Sequence, residues 1–495
     1  MTSSISRRVL LGGAGLGALA ALGACTDDSS GTDSDQKTSK GSSGLTRQDG
    51  VIAVRLGDDP ALALSRAALT AAGTVAVARS AEPADLDQLA AAATEVKIPL
   101  LVVGPELAAE LDRLKTERVL ALSSDGLSVG DRDIVTLEDG KAPSIDGLPA
   151  DPPAGQVLAL QLPDAKSAKV LAPTLAALGA QTIAAPGDPR RSIEATKALR
   201  DAKDATVIAL GSSFGDQDRL STRVETCRTV DELPGGGVLP FPDRMMIALY
   251  GHPEAAALGM LGEQPAEEAV ERVKALVKEY DPLVETPVVP AFEIIATVAS
   301  QGAESDGSYS RRTAIDTLLP WIEAAEKGGV YIVIDLQPGR MSFLDQAKEY
   351  EDLLKRPWVG LALDPEWRLK PDQVHLKQIG SVDTEEINEV SAWLSELVTK
   401  HSLPPKVLTL HQFRTDMIRR RERLDVSHDN IQILVHVDGQ GGQGEKQSTW
   451  SAIRKGLPKE VFLGWKNFED EDSPMLTPKQ TIDQVSPTPS FISYQ

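Results

Sequence analysis

The sequence contains few aromatic residues, few cysteines and comparatively few positive charges, and each shortage excludes a class of protein. Of its 495 residues, Phe, Trp and Tyr make up 4 %, and only two are cysteine. Two cysteines are too few to hold a disulfide-rich scaffold together. The 51 Lys and Arg residues are outnumbered by 72 Asp and Glu residues, so the net charge is −21. Because such an acidic surface repels phosphate backbones, we do not expect the protein to bind nucleic acid.

The composition is otherwise that of a globular protein of more than one domain. Hydrophobic residues make up 41 % and charged residues 25 % of the chain, which is ordinary for folded domains. A mean hydropathy of −0.15 excludes a protein with many membrane spans. Residues 50–240 contain one Phe and no Trp, Tyr or His, whereas every Trp, Tyr and His lies at or after residue 250. We therefore predict a domain boundary near residue 238.

Residues 1–24 have the pattern of a signal peptide. Arg7 and Arg8 precede an apolar run over residues 9–24, which suits the core of a signal peptide and is short for a membrane span. The arginine pair resembles the twin-arginine (Tat) export signal. The sequence therefore predicts that the protein is exported.

A tetrapeptide Leu-Gly-Ala-Cys, ending at Cys25, closes this run and resembles a bacterial lipobox. The resemblance implies cleavage before Cys25 and attachment of a lipid to its thiol. Residues 25–49 are then expected to form a disordered tether, because they are rich in Ser, Thr, Gly and Asp and poor in apolar side chains. This reading predicts a lipid-anchored protein on the extracytoplasmic face of the cell membrane, in the cell envelope.

Residues 50–238 are predicted to form a doubly wound parallel α/β domain. Short apolar runs alternate with Ala-rich helical stretches, which indicates a parallel sheet covered on both faces. Residues 73–124 resemble the cell-wall-binding repeat of the second type from Gram-positive bacteria, through the segments TVAVARS, KIPLLVVGPE, ELAAELDRLK and ERVLAL. Residues 155–213 resemble it more faintly. The resemblance implies contact with wall polymer, and a simple spacer domain is the alternative.

Residues 239–495 are predicted to form a (β/α)8 TIM-like barrel. Eight strand candidates follow one another with helical stretches between them, which is the count and size of this fold. The strand candidates cover residues 245–252, 287–295, 330–337, 359–367, 406–413, 431–439, 460–468 and 489–495.

Polar residues end nearly every one of these strands, although the strand interiors are apolar. In this fold the C-terminal strand ends build the active site, and charge without partners inside a barrel is costly. We therefore expect these side chains to line a functional mouth. The predicted mouth residues are Tyr250, His252, Glu293, Asp335, Asp364, Glu366, Trp367, His411, Gln412, His436, Asp438, Trp465, Lys466 and Asn467.

Alternation along the fourth strand selects two of these residues. Gly360, Ala362, Asp364 and Glu366 share one face of the strand. The two small residues suit a barrel interior, so the two carboxylates are expected to project into the mouth. In the sixth strand, His436 and Asp438 share a face in the same way.

The barrel resembles glycoside hydrolases, through the segments LALDPEW (361–367), HVDGQ (436–440) and GWKNFEDED (464–472). The resemblance implies a protonated carboxyl group and an ionised one on either side of the scissile bond. Asp364 or Glu366 matches the usual place of the acid after strand four, with Asp335, Asp438 or Glu293 as its partner. Three aromatic residues would stack on sugar rings, and the other mouth residues would bind substrate. Those three are Tyr250, Trp367 and Trp465.

The mouth residues also suit three other functions. One is a non-catalytic barrel that binds glycan or cell wall, and another is a Schiff-base lyase that uses Lys466. A metal-dependent hydrolase is a third, although neither an HxH pair in strand one nor an HExxH motif is present. Its candidate ligands are His252, Asp335, His411, His436 and Asp438. The sequence also lacks a GxGxxG phosphate-binding loop, so we predict no cofactor, and in the absence of the HxH and HExxH motifs we predict no metal.

Overall fold

The computed structural model describes residues 44–141, 144–145, 151–162 and 167–495. The proposed signal peptide, Cys25 and most of the predicted tether lie outside these residues. Within the described segments, no helix combines the length and apolar character needed to cross a bilayer.

The N-terminal part is built on two parallel sheets. Its strands are β1 (Thr46–Arg47), β2 (Val51–Val54), β3 (Leu69–Ala71), β4 (Thr74–Ala78), β5 (Leu100–Val102), β6 (Arg118–Ala121), β7 (Asp133–Thr136), β8 (Val157–Gln161), β9 (Ala180–Ala184) and β10 (Thr206–Leu210). Its helices are α1 (Pro60–Ala68), α2 (Pro83–Glu95), α3 (Leu107–Arg113), α4 (Ala168–Ala177), α5 (Ile193–Asp201) and α6 (Gln217–Thr229). The sheet orders are β5-β4-β6-β7 and β2-β10-β8-β9, and β1 pairs with β3.

The strands of the second sheet are apolar on both faces. Val157 and Ile208 belong to a core that also includes residues of the first sheet. Leu158 and Val207, their neighbours in the chain, belong to a core that includes residues of α5 and α6. Buried parallel strands have this composition because helices or a second sheet cover each face.

The (β/α)8 barrel predicted for the C-terminal part is confirmed. Its strands are β11 (Met245–Gly251), β12 (Val288–Ala299), β13 (Ser310–Arg312), β14 (Tyr331–Leu336), β15 (Val359–Leu363), β16 (Val382–Asp383), β17 (Lys406–His411), β18 (Ile418–Arg419), β19 (Ile431–Val437), β20 (Phe462–Asn467) and β21 (Phe491–Tyr494). Its helices are α7 (Ala266–Tyr280), α8 (Ile315–Gly328), α9 (Phe343–Glu349), α10 (Glu351–Leu354), α11 (Thr384–Lys400), α12 (Gln443–Ile453) and α13 (Pro478–Gln484). Eight parallel strands close the barrel in the order β11-β12-β14-β15-β17-β19-β20-β21, with β21 paired to β11.

Two elements differ from the sequence prediction. The fourth strand ends at Leu363 instead of running to 367, because Pro365 has no N–H to continue the ladder. The helix expected after the fifth strand, over the segment TDMIRRRERLD, does not form. That segment contains β18 and a short 3-10 turn, in which Arg421 donates hydrogen bonds to the carbonyls of Ile453 and Lys455 at the end of α12.

Alternation divides each barrel strand into an outer and an inner face. Outward residues such as Ile247 and Leu361 pack against the helices. Inward residues such as Ala248, Val333 and Ala362 form an apolar floor in the lower barrel. Polar residues continue the inner faces above this floor, so the strands direct them toward the C-terminal end, which we call the mouth.

The segment 230–244, which joins α6 to β11, closes the opposite end of the barrel. Leu233 and Phe241 pack into the apolar floor. The backbone N–H and carbonyl of Phe241 form two 2.8 Å hydrogen bonds with the side-chain amide of Gln432 at the start of β19. The predicted domain boundary near residue 238 lies in this segment. The N-terminal part therefore contacts the end of the barrel that is remote from the mouth.

Candidate functional site

A buried group of polar side chains occupies the barrel interior at the mouth. Each side chain continues the inward face of its strand. The register of the sheet places two pairs of them side by side: His411 of β17 beside His436 of β19, and Tyr250 of β11 beside Glu293 of β12. Their side chains are at most 8 % exposed. We call these residues the central cluster: Tyr250, Glu293, Asp335, His411, His436, Asp438, Lys466 and Ser493.

His411 lies at the centre of this cluster. Its Nε2 is 2.9 Å from Glu293 Oε1, and its Nδ1 is 3.1 Å from Asp438 Oδ2. Asp335 Oδ1 lies 3.8 Å from the same Nε2. Burial alone would lower the pKa of His411, but the surrounding carboxylates, above all Glu293 and Asp335, raise that pKa well above its usual value. The surrounding carboxylates therefore favour the imidazolium form of His411.

Glu293 also faces His436. Its Oε2 is 3.4 Å from His436 Nδ1, and neither atom has a hydrogen-bond partner. The other ring nitrogen of His436, Nε2, lies 3.0 Å from Ser493 Oγ. Burial would raise the pKa of Glu293, but the two imidazoles lower it, His436 most strongly. Burial lowers the pKa of His436. Glu293 is thus a fully buried carboxylate with one uncommitted oxygen.

Tyr250 contacts both Asp335 and Lys466 in the cluster. The Tyr250 hydroxyl donates a 3.0 Å hydrogen bond to Asp335 Oδ2. Lys466 Nζ lies 3.3 Å from the centroid of the Tyr250 ring, a cation–π contact. Burial, reinforced by Glu293, raises the pKa of Asp335 even though His411 opposes the shift. Burial and the neighbouring carboxylates, chiefly Asp335, also hold the pKa of Tyr250 well above its usual value.

Asp364 and Glu366 project from the turn that follows β15. Asp364 is buried, and its Oδ1 accepts a 3.2 Å hydrogen bond from the Glu366 N–H. Burial holds the pKa of Asp364 well above its usual range. Glu366 is half-buried, and burial, followed by the charge of Asp438, raises its pKa to about 7.

Asp438 differs from these two acids. Although burial would raise its pKa, the hydrogen bond and charge of His411 lower it. At the mouth, burial therefore favours the protonated form of Asp364 and Glu366, whereas His411 favours the ionised form of Asp438. Opposite pKa shifts in neighbouring carboxyl groups distinguish a proton donor from an anionic partner.

Aromatic and cationic side chains from three loops line one edge of the mouth, which we call the rim. The rings of Trp367 and His375 meet edge-on with centroids 5.3 Å apart. His375 Nε2 donates a 2.9 Å hydrogen bond to the Tyr309 carbonyl, and the Arg340 guanidinium lies 4.3 Å from the centroid of the Tyr309 ring. Trp367 is thus at the mouth, as the sequence predicts for a stacking residue.

Two other aromatic residues predicted to stack on sugars do not line the opening. Trp465 is 1 % exposed and faces outward from β20, where its ring meets Trp450 of α12 with centroids 5.7 Å apart. Its Nε1 donates a 2.9 Å hydrogen bond to Asn467, which is buried on the same outward face. The ring of Tyr250 is in the central cluster beneath Lys466. Alternation explains the difference for Trp465, because the inward-facing residue of this stretch is Lys466.

Gln412 and His252 also lie outside the central cluster. Gln412 follows His411 and so faces the other way, where its side chain bonds the carbonyl of Arg414 at 2.8 Å and the guanidinium of Arg421 at 3.1 Å. His252 Nδ1 accepts from the Glu254 N–H, and its Nε2 is 2.9 Å from Thr313 Oγ1. Both residues therefore form hydrogen bonds with loop residues and lie outside the cluster.

Several residues that the sequence analysis did not select belong to the cluster or rim. Ser493 shares the inward face of β21 with Phe491, so alternation in the last strand could have identified it. Tyr309, Arg340 and His375 lie in irregular loops, where no periodicity indicates which side chains meet.

The fold and the site define a class: a (β/α)8 barrel with a buried carboxyl–imidazole cluster at the C-terminal ends of its strands. No protein-family model matches the chain, and no curated protein matches its sequence significantly.

Proposed function

We propose that the barrel is a glycoside hydrolase in which Glu366 is the general acid and Asp438 is its carboxylate partner. The observation that carries this proposal is that the pKa values of these two neighbouring groups shift in opposite directions: burial raises the pKa of Glu366 to about 7, and His411 lowers the pKa of Asp438. Hydrolysis of a glycosidic bond needs such a pair. The position of Glu366 after the fourth barrel strand supports the same reading.

In the proposed reaction, Glu366 gives its proton to the glycosidic oxygen as the bond from that oxygen to the anomeric carbon breaks. The departing sugar leaves as an alcohol. The Asp438 carboxylate stabilises the positive charge that develops at the anomeric carbon. Water then adds to that carbon, and its proton passes to one of the two carboxylates.

Two further residues hold this pair in place. The 3.1 Å contact with His411 Nδ1 fixes one oxygen of Asp438. Asp364 accepts from the Glu366 N–H and so fixes the turn that carries the acid. Asp335, which we also considered catalytic, accepts from Tyr250 and is assigned to support of the cluster. Glu293, His411 and Lys466 supply buried charge beneath the substrate position.

The proposed substrate is a polysaccharide of the cell envelope or of the surroundings. Trp367, with Tyr309 and His375 beside it, offers ring faces and edges of the kind that pack on sugars. The export signal and lipobox pattern support a lipid-anchored location through Cys25. The N-terminal part is proposed to be a spacer or wall-contact module, as its resemblance to cell-wall-binding repeats suggests.

The decisive experiment is an assay of the purified chain against a panel of bacterial envelope polysaccharides that includes peptidoglycan. New reducing ends would be measured for the wild type, Glu366→Gln and Asp438→Asn. Glu271→Gln is the matched control, because Glu271 is an exposed carboxylate on α7. We expect the rate at which reducing ends form to fall at least about 100-fold in both site variants and to stay unchanged in the control, because the variants remove a proton donor and its partner.

A different outcome would favour the non-catalytic alternative. If no polysaccharide is cleaved but one is bound equally well by all four proteins, the protein binds glycan without hydrolysing it. If cleavage occurs and survives Glu366→Gln, the assignment of the acid is wrong.

A further inference from the structure

We propose that Glu293, His411 and His436 bind one first-row divalent metal ion, with Asp335 as a fourth ligand. This inference goes beyond the proposed hydrolysis, because Glu366 and Asp438 are not among the ligands. The ligand atoms of Glu293, His411 and His436 all lie within 4.8 Å of one another. The three residues come from β12, β17 and β19 and are fully buried.

The distances between these atoms suit a shared ion. Metal–nitrogen and metal–oxygen bonds to zinc are about 2.0–2.2 Å, so two ligands roughly 90–110° apart are separated by about 3.0–3.4 Å. Glu293 Oε1 lies 2.9 Å from His411 Nε2, and Glu293 Oε2 lies 3.4 Å from His436 Nδ1. Small side-chain rotations would bring these atoms around one centre.

Three buried atoms of the proposed ligands have no hydrogen-bond partner. They are Glu293 Oε2, Asp335 Oδ1 and His436 Nδ1. An unpartnered buried polar atom destabilises a folded protein, and more so when the atom is charged. Such atoms are rare in folded proteins, and three on adjacent side chains indicate a missing common partner. One cation would satisfy all three together.

The outer contacts of both imidazoles have the form found around metal-bound histidines. A ligating histidine usually donates its other ring N–H to a carboxylate or another acceptor, which orients the free lone pair toward the metal. His411 Nδ1 lies 3.1 Å from Asp438 Oδ2, and His436 Nε2 lies 3.0 Å from Ser493 Oγ. With both protons placed outward, His411 Nε2 and His436 Nδ1 direct lone pairs toward Glu293.

The charge of the site also favours a cation. The carboxyl side chains of Glu293, Asp335, Asp364 and Asp438 are buried in or beside the central cluster, whereas its cationic side chains are His411 and Lys466. Buried carboxyl groups in excess must be protonated or compensated. Two imidazoles and carboxylate oxygens suit zinc, iron or cobalt better than magnesium or calcium, which prefer oxygen ligands alone.

The test is a Zn²⁺ titration of the EDTA-treated full chain by calorimetry, for the wild type and for Glu293→Gln and His436→Gln. One Zn²⁺ per chain is expected, with affinity reduced at least about 100-fold in each variant. Ser493→Ala keeps all ligands and is expected to weaken binding about 10–100-fold. His401→Gln, at the exposed end of α11, is the matched control and should bind as the wild type does. Co²⁺ added to the wild type should give visible d–d absorption bands.

The outcomes separate this proposal from the hydrolase proposal. Glu366→Gln should lose hydrolysis while keeping the Zn²⁺ site. The metal proposal is overturned if the wild type binds no Zn²⁺ and gives no Co²⁺ bands, or if Glu293→Gln and His436→Gln bind as tightly as the wild type. The first of these results depends only on Zn²⁺ and Co²⁺ binding by the wild type. The proposal can therefore be overturned even if a variant fails to fold.

Discussion

Gly464 of β20 lies directly beside the ring of His436 on β19. A β-carbon placed on Gly464 would come within 2.9 Å of His436 Cδ2. The two residues are also paired in the sheet register. The absence of a side chain at Gly464 therefore gives the imidazole the space from which it faces Glu293.

We predict that Gly464→Ala displaces His436 and destabilises the barrel. The ring is fully buried, so it has little room to move, and overpacking of this kind costs about 1–3 kcal/mol. Chemical denaturation would measure the loss. Gly444→Ala is the matched control, because a β-carbon there meets nothing within 4 Å and alanine favours the helix. Equal stability of the Gly464 and Gly444 variants would contradict the prediction.

The raised pKa of Glu366 predicts that hydrolysis falls as the pH rises through about 7. The acid must be protonated to donate, so the decline reports its titration. The rate should be measured on EDTA-treated protein, because a bound cation would lower the pKa of nearby acids. Glu366→Gln should remove this alkaline limb together with most of the activity. A decline at the same pH in the residual activity of Glu366→Gln would assign the limb to another group.

The same shift predicts an effect on stability. A carboxyl group whose pKa rises from about 4.3 in the unfolded chain to about 7 when folded does not destabilise the fold below about pH 4. The free energy of unfolding then falls as the pH rises, and the loss is complete once the pH has passed about 7. Glu366→Gln should therefore be more stable than the wild type at pH 8, by up to about 3 kcal/mol, and nearly equal to it at pH 4. Denaturation at the two pH values checks the difference. A variant less stable at pH 8 would contradict it.

The barrel was predictable from the sequence because its strands are regular. Alternation in the fourth strand places Ala362 inside the barrel and continues with Asp364, as the structure shows. The same rule, applied to β20 and β17, would have separated Lys466 and His411 from their outward neighbours Trp465 and Gln412. Outward residues entered the predicted site because strand ends, taken as groups, contain both inward and outward side chains.

Other parts of the site could not be predicted from local pattern. The approach of Glu293 to His411 joins residues that are 118 positions apart and depends on strand stagger across the barrel. The rim depends on loop conformation: Tyr309 has a φ of +58°, in the left-handed region that residues other than glycine rarely adopt. Neither relationship leaves a periodic pattern in the sequence.

A buried ion pair holds the loop beyond β20. Lys446 Nζ of α12 lies 2.8 Å from Asp472 Oδ2 and donates to the carbonyls of Gly439 and Lys466, each at 2.8 Å. Lys446→Met should leave Asp472 without its counter-charge and cost about 3–5 kcal/mol. Denaturation of this variant beside Lys479→Met, whose ion pair is exposed, measures the effect. Similar losses in the two variants would contradict it.

Asp429 joins the N-terminal part to the barrel. Its carboxylate accepts from Arg219 and Arg223 of α6 at 2.6 and 2.7 Å and lies 3.0 Å from Arg190. Burial would raise the pKa of Asp429, but these guanidinium groups, led by Arg223, hold it well below its usual range. The carboxylate therefore stabilises the contact at pH values above about 4, its usual value in an unfolded chain, and this stabilisation fades as the pH falls further.

We predict that Asp429→Asn loosens this contact, because it removes the shared counter-charge of three arginines while keeping the shape of the side chain. Loss of charge-assisted hydrogen bonds at a partly exposed site is expected to cost about 2 kcal/mol. Faster proteolysis within segment 230–244 would report the loosening, with the exposed Asp352→Asn as the matched control. The difference between Asp429→Asn and the wild type should be constant from pH 8 to 5 and should shrink below about pH 4. A difference that grows in acid would show that Asp429 does not act through its charge.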